Sequence, residues 1–90
     1  MRVLKFELTC MSMSSIDIPE FSNILSIQVQ DGKVQLWASC PDNKLVKRYF
    51  NHYFTGELLR SNKGVYLATV QWGNLVTHIF EIPAPIGVQG

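Results

Sequence analysis

The residues of this sequence that could carry out chemistry are two histidines, two cysteines and seven carboxylates, and their spacing matches no catalytic motif. There is no Gly-x-Ser-x-Gly, no phosphate-binding glycine loop and no His-Glu-x-x-His. Cys40 could pair with His52 or His78 as nucleophile and base, but its strand pattern places it on the apolar face, where thiols are usually inert. We therefore predict that the protein is not an enzyme and uses neither a metal nor a cofactor.

A second group of residues could bind a ligand. Trp37 offers a ring for stacking, unless a loop or a neighbouring subunit covers it. Arg48 offers a guanidinium fork to a phosphate or carboxylate, unless it forms a salt bridge to Glu57, Glu81 or a main-chain carbonyl. His78 is either pocket lining or a hydrogen-bonded structural residue. The predicted ligand-binding residues are Trp37, Arg48, Gln28, Gln30, Gln35, His78 and Thr55.

The cysteines and the N-terminus bear on the compartment. Cys10 and Cys40 are 30 residues apart and form no Cys-x-x-Cys pair. Two free thiols in a reducing cytosol are the simplest interpretation, since a disulfide would require export. We find no signal-peptide core and no run near the ~20 apolar residues of a membrane span. We expect no membrane partner.

Charge is nearly balanced, with eight Lys or Arg against seven Asp or Glu. This balance argues against generic binding of duplex nucleic acid, which requires a broad basic surface. Residues 44–63 nevertheless contain five of the eight cations, so a local basic pocket is compatible with the sequence.

The first hairpin must position Trp37 and the glutamines. Residues 24–40 alternate about Asp31-Gly32, a pair that suits a type I′ turn because both central residues need positive φ. The predicted core face carries Leu25, Ile27, Val29, Val34, Leu36 and Ala38. The opposite, polar face carries Ser26, Gln28, Gln30, Lys33, Gln35 and Trp37.

The remaining strands position Arg48, Thr55 and His78. Residues 2–8 alternate as a first strand, and a weaker pattern ends at Pro19. Residues 45–55 and a second hairpin about Gly73-Asn74 are apolar on both faces. With no helix predicted, the second face must be covered by another sheet or another subunit.

These patterns predict an all-β domain over residues 1–82, followed by a flexible tail over 83–90. We expect five or six antiparallel strands arranged as a small sandwich or barrel. A content of 47% hydrophobic residues is high for a chain of 90 residues, which has little interior. We therefore also expect a homo-oligomer.

Three motifs in order carry a family resemblance. A hydrophobic-Ser-hydrophobic-Gln-hydrophobic-Gln hairpin ends in Leu-Trp-Ala, an Arg-x-Phe strand runs into Thr-Gly, and a His-x-Phe-Glu segment closes the pattern. Over Ile24 to Glu81 the chain resembles an uncharacterised family of small proteins encoded by phages and by bacteria carrying prophages. The matching positions are Gln28, Gln30, Trp37, Arg48, Phe50, Thr55, Gly56, His78, Phe80 and Glu81. Residues 10–21 and 57–64 depart from the pattern.

The resemblance implies a phage accessory protein acting in the host bacterial cytoplasm, and it implies no activity. Our first hypothesis is a counter-defence protein that sequesters a nucleotide-derived immune signal at a subunit interface. The second is an inhibitor or adaptor that binds a host defence protein. The third is a minor component of virion assembly.

Overall fold

The computed structural model describes residues 1–9 and 12–84, which fold into seven β-strands and no helix. The strands are β1 (Arg2–Leu8), β2 (Met13–Pro19), β3 (Asn23–Gln30), β4 (Lys33–Cys40), β5 (Leu45–Phe54), β6 (Val65–Trp72) and β7 (Leu75–Ile82). The all-β prediction is confirmed, but the count of five or six strands is wrong. The weak segment before Pro19 is a full strand, since Ser14, Ile16 and Ile18 are buried with period two.

The strands form two antiparallel sheets that pack as a sandwich. One has three strands in the order β1-β4-β3, and the other has four in the order β2-β5-β7-β6. Each sheet keeps two edge strands, so the barrel that the sequence also allowed is wrong. Over the described residues, no helix is long and apolar enough to cross a bilayer.

Both predicted hairpins are confirmed. Asp31 and Gly32 have φ of 55° and 74°, as a type I′ turn requires, and Gln28 pairs with Gln35 in the predicted register. In the second hairpin Gly73 has a φ of 61°, and Thr69 pairs with His78. Tight two-residue turns set these registers.

One predicted core residue is misplaced. The register of β3 shifts between Ile24 and Ser26, which leaves Leu25 in a bulge with 52% of its surface exposed. The extra residue removes Leu25 from the alternation that we used to assign it to the core.

The core lies between the two sheets. Its buried cluster consists of Leu8, Ile16, Ile18, Ile27, Val34, Leu36, Ala38, Cys40, Phe50 and Ile79. Cys40 is a buried free thiol, while Cys10 lies outside the described residues. At the edge of the core the Trp72 indole Nε1 donates to the Gly32 carbonyl at 2.8 Å, joining β6 to the turn of the other sheet.

Part of the outer face of the four-stranded sheet is covered by the segment of residues 55–64, which we call the covering loop. Tyr53 and Phe80 point outward, yet only 2% and 7% of their surfaces are exposed. The loop folds back so that the Arg60 guanidinium lies 5.0 Å from the centre of the Tyr53 ring. A cover on this second face was predicted, but the chain's own loop supplies it where we expected another sheet or subunit.

After Ile82 the strand pattern stops, and Pro83 and Ala84 are exposed. The rest of the predicted tail, residues 85–90, lies outside the described residues. The single-domain assignment and the flexibility of the tail stay predictions.

Candidate ligand-binding site

The structure separates the predicted ligand-binding residues into three places. On the outer face of the three-stranded sheet lie Trp37, Gln28, Gln30 and Gln35. Arg48 lies between the two sheets, on the same face of β5 as the core residue Phe50. His78 and Thr55 lie together on the outer face of the four-stranded sheet. These three places lie on different faces of the two sheets, so the predicted residues do not form one site.

The outer face of the three-stranded sheet carries mainly polar side chains. Trp37 is flanked in register by Lys5 and Ser26, and it is partly exposed. The Lys5 ammonium donates to Gln30 Oε1 at 2.9 Å, which links the two strands that flank β4. This bond crosses above Gln35, which explains why only 8% of Gln35 is exposed on an outward face.

Arg48 makes the salt bridge to Glu81 that was one of its predicted alternatives. Its Nε and Nη2 lie 2.6 Å from the two Glu81 carboxylate oxygens, and its Nη1 donates to the Ser22 carbonyl at 2.7 Å. The bonds to Glu81 raise the pKa of the guanidinium above its already high value. The guanidinium fork is therefore occupied inside the protein.

His78 and Thr55 belong to a chain of four side chains. The Tyr66 hydroxyl lies 2.7 Å from Thr69 Oγ1, which lies 2.9 Å from His78 Nδ1. His78 Nε2 in turn lies 2.8 Å from Thr55 Oγ1. Both ring nitrogens thus have a hydroxyl partner, and the imidazole is fixed in orientation. We call this row of side chains the hydroxyl-imidazole chain.

The hydroxyl-imidazole chain borders a pocket of about 280 Å³ between the sheet and the covering loop. Phe80 forms its floor, with Tyr53 and Tyr66 packed edge-on against it at centroid distances of 5.6 and 5.5 Å. The lining residues are Tyr53, Phe54, Thr55, Gly56, Glu57, Leu59, Tyr66, His78 and Phe80. We call this the aromatic pocket.

The aromatic pocket combines apolar rings with a few fixed polar groups, the usual composition of a small-molecule site. Glu57 closes one side, since its Oε1 accepts from the Phe54 main-chain N–H at 2.8 Å. The aromatic rings suit stacking or edge contacts with a planar ligand, while the Thr55 hydroxyl, held by His78, suits the hydrogen-bonding edge of that ligand.

Sequence reasoning missed Tyr53, Tyr66 and Phe80 as site residues, because it assigned the aromatic side chains of these strands to packing. The available signal was that both faces of β5 and β7 are apolar, while the described residues form two sheets that can cover one face of each other. An outward aromatic face then needs a cover, and a partial cover leaves a pocket.

Among residues 1–9 and 12–84, no group of three or more His, Cys, Asp or Glu residues lies close enough to hold a metal ion.

Comparison with known proteins places the chain in one family. Residues 1–88 match a family described as a domain of unknown function, DUF7352, so the chain belongs to that family. No curated protein and no solved structure matches the chain. The prediction of an uncharacterised family is confirmed, and the phage origin stays a prediction.

Proposed function

We propose that this member of DUF7352 is a non-enzymatic binding protein for a nucleotide-type small molecule, whose ring enters the aromatic pocket. The observation that carries the proposal is the combination of Phe80, Tyr53 and Tyr66 with the hydroxyl-imidazole chain at one opening. Stacking on aromatic side chains contributes about 1–3 kcal/mol per base, and fixed donors and acceptors select the base edge.

The hydroxyl-imidazole chain favours recognition over catalysis. His78 is held between Thr69 and Thr55, with both nitrogens engaged, so no nitrogen is left facing a nucleophile. A ring held in this way presents hydroxyl groups of fixed orientation to a ligand. Binding without turnover is the activity that such an arrangement supports.

The biological setting follows from the family resemblance. We propose that the protein is a phage accessory protein in the host bacterial cytoplasm, and that its ligand is a nucleotide-derived immune signal which it sequesters. The homo-oligomer and the exclusion of generic duplex nucleic acid stay predictions of the sequence.

The test is a thermal-shift screen against cyclic di- and trinucleotides, ADP-ribose isomers and ordinary nucleotides. A ligand present at 100 times its dissociation constant stabilises a fold by about 2.7 kcal/mol, which is several degrees for a domain of this size. The expected result is a shift with one ligand class. The absence of a shift across all classes would contradict the proposal.

Two variants locate the site. Tyr66→Ala removes a ring that is 55% exposed, so the fold should survive while binding is lost. Trp37→Ala, on the other sheet, is the matched control and should bind as the wild type does. If binding is instead lost in Trp37→Ala and retained in Tyr66→Ala, the site lies on the polar face of the three-stranded sheet, where Gln28, Gln30 and Gln35 lie.

Phe21 supports a second candidate function, the binding of a host protein. Phe21 has a φ of 68°, a conformation that a bulky residue rarely adopts, and 81% of its surface is exposed. The turn that holds it is fixed by a bond from Ser22 Oγ to the Pro19 carbonyl at 2.6 Å and by the bond from Arg48 to Ser22. Backbone strain of this kind clusters at functional sites, and an exposed aromatic is a frequent anchor in interfaces.

The second candidate predicts a host protein that co-purifies with the wild type and is lost with Phe21→Asn, since asparagine tolerates positive φ and removes only the ring. A partner retained by Phe21→Asn would exclude this anchor. A virion assembly role, the third hypothesis, predicts instead that the protein is present in purified particles.

A further inference from the structure

We propose that the cleft beside the aromatic pocket, which is lined by Arg60, Asn62, Asn51 and Ser12, binds the phosphate of the ligand. The cleft has a volume of about 460 Å³, and Met13, Ile82, Pro83 and Ala84 complete its lining. The inference rests on the proposed function in one respect, namely that the ligand's ring occupies the aromatic pocket. We infer that the ligand carries an anionic group and that this group binds in the cleft.

Arg60 is the cation of this cleft. Its guanidinium carbon lies 5.0 Å from the centre of the Tyr53 ring, an arrangement that orients the group without neutralising its charge. Within the described part of the chain, Arg60 has no carboxylate partner, whereas Arg48 is paired with Glu81. No Asp or Glu lines the cleft among the described residues. An oriented guanidinium without a counter-charge is suited to bind an anion.

Asn51 supplies an independent observation. Only 3% of its surface is exposed, and its side chain lines the cleft. A phosphate oxygen in the cleft would accept from the Asn51 amide, as it would from the exposed amide of Asn62.

The cleft and the aromatic pocket are close enough to hold one molecule. Asn51 lines the cleft and Tyr53 lines the pocket, and the two are next-but-one neighbours on the same face of β5. Two residues along a strand span about 7 Å. The aromatic pocket alone is smaller than a typical site for a whole small-molecule ligand. A ligand whose ring occupies the pocket would therefore place its phosphate in the adjacent cleft.

The first experiment titrates the protein with inorganic phosphate and follows the side-chain amides of Asn51 and Asn62 and the Nε–H of Arg60 by NMR. The expected result is saturable shifts at these groups, at least tenfold weaker binding in Arg60→Ala, and unchanged binding in Lys44→Ala, the matched control at the other end of β5. Asn62→Asp, an exposed substitution, should weaken binding by a similar factor. The absence of saturable shifts at these groups would overturn the proposal.

The second experiment separates this proposal from the proposed function. A nucleoside and its monophosphate from the ligand class found in the screen are compared on wild type and Arg60→Ala. We expect the monophosphate to bind at least tenfold more tightly to the wild type, with the difference lost in the variant. Equal affinities would overturn the phosphate site and leave the aromatic pocket standing. If phosphate binds but the nucleoside does not, the phosphate site stands and the proposal that a ring occupies the aromatic pocket is overturned.

Discussion

Arg48 and Glu81 are 33 residues apart in sequence and form a two-pronged ion pair, with both nitrogen–oxygen distances at 2.6 Å. Each side chain is only 24% exposed, because the pair lies on the face of the four-stranded sheet that packs against the other sheet. The third contact of Arg48, to the Ser22 carbonyl, extends the pair to the connection between β2 and β3. This network joins β5, β7 and that connection.

Arg48→Ala should lower the free energy of unfolding by about 2–4 kcal/mol, because it leaves the Glu81 carboxylate partly buried without a partner. Urea denaturation measures the change. Lys47→Ala is the matched control, since it breaks an ion pair to Asp17 that is exposed on both sides, and it should have a much smaller effect. Equal effects of the two substitutions would show that the Arg48–Glu81 pair does not stabilise the fold.

His52 should make the stability depend on pH. The residue is 3% exposed, its Nε2 lies 2.9 Å from Ser14 Oγ, and burial lowers its pKa from 6.5 to about 4. Between these values the unfolded chain binds a proton that the folded protein does not, so stability is lost as the pH falls from about 6.5 to about 4. The expected loss is about 3 kcal/mol.

The check for His52 is urea denaturation at a series of pH values. His52→Gln should remove this part of the pH dependence, and His78→Gln should retain it. An NMR titration of the His52 ring in the wild-type protein gives the pKa directly, whether or not the variant folds. A ring that titrates above pH 6 in the folded protein would contradict the prediction.

Gly64 should tolerate no side chain. It has a φ of 89°, and a Cβ there would collide with the main-chain oxygen of Glu81. Gly64→Ala therefore forces the end of the covering loop away from β7, at a cost of about 1–3 kcal/mol beyond the backbone strain. Gly56→Ala is the control, since Gly56 has a φ of 99° but open space around it. Thermal unfolding compares the two, and equal losses would rule out the contact as the cause.

Trp72→Phe should cost about 1 kcal/mol, because it keeps most of the packing and removes the indole bond to the Gly32 carbonyl. Trp37→Phe makes the same change on the outer face of the three-stranded sheet and should cost less. Denaturation midpoints at fixed pH measure both. A larger loss for Trp37→Phe would mean that its ring, and not the Trp72 bond, stabilises this end of the sandwich.

The placement of some of the predicted ligand-binding residues could be predicted from local pattern. Trp37, Gln28, Gln30 and Gln35 share one face as predicted, because alternation assigns the face and the Asp31-Gly32 turn sets the register. Leu25 shows the limit of this reasoning. A single bulged residue breaks the alternation, and the neighbouring residue types do not indicate the bulge.

The aromatic pocket and the phosphate cleft were not predictable in this way. Their residues come from the start of β2, from β5, β6 and β7, from the residues after β7 and from the covering loop. The path of the loop is determined by what it covers. The sequence showed that β5 and β7 are apolar on both faces, which requires a second cover. It did not show that residues 55–64 supply that cover.

The sequence by itself determined the all-β class, the two hairpins and the face on which most of their side chains lie, because turn chemistry and alternation are local properties of the chain. Only the tertiary structure decided that β5 pairs with β2 and β7, that Arg48 meets Glu81, and that Tyr66, Thr69, His78 and Thr55 form one chain. Pairings between distant strands depend on how two whole sheets bury their apolar faces together, and no short stretch of sequence records that outcome.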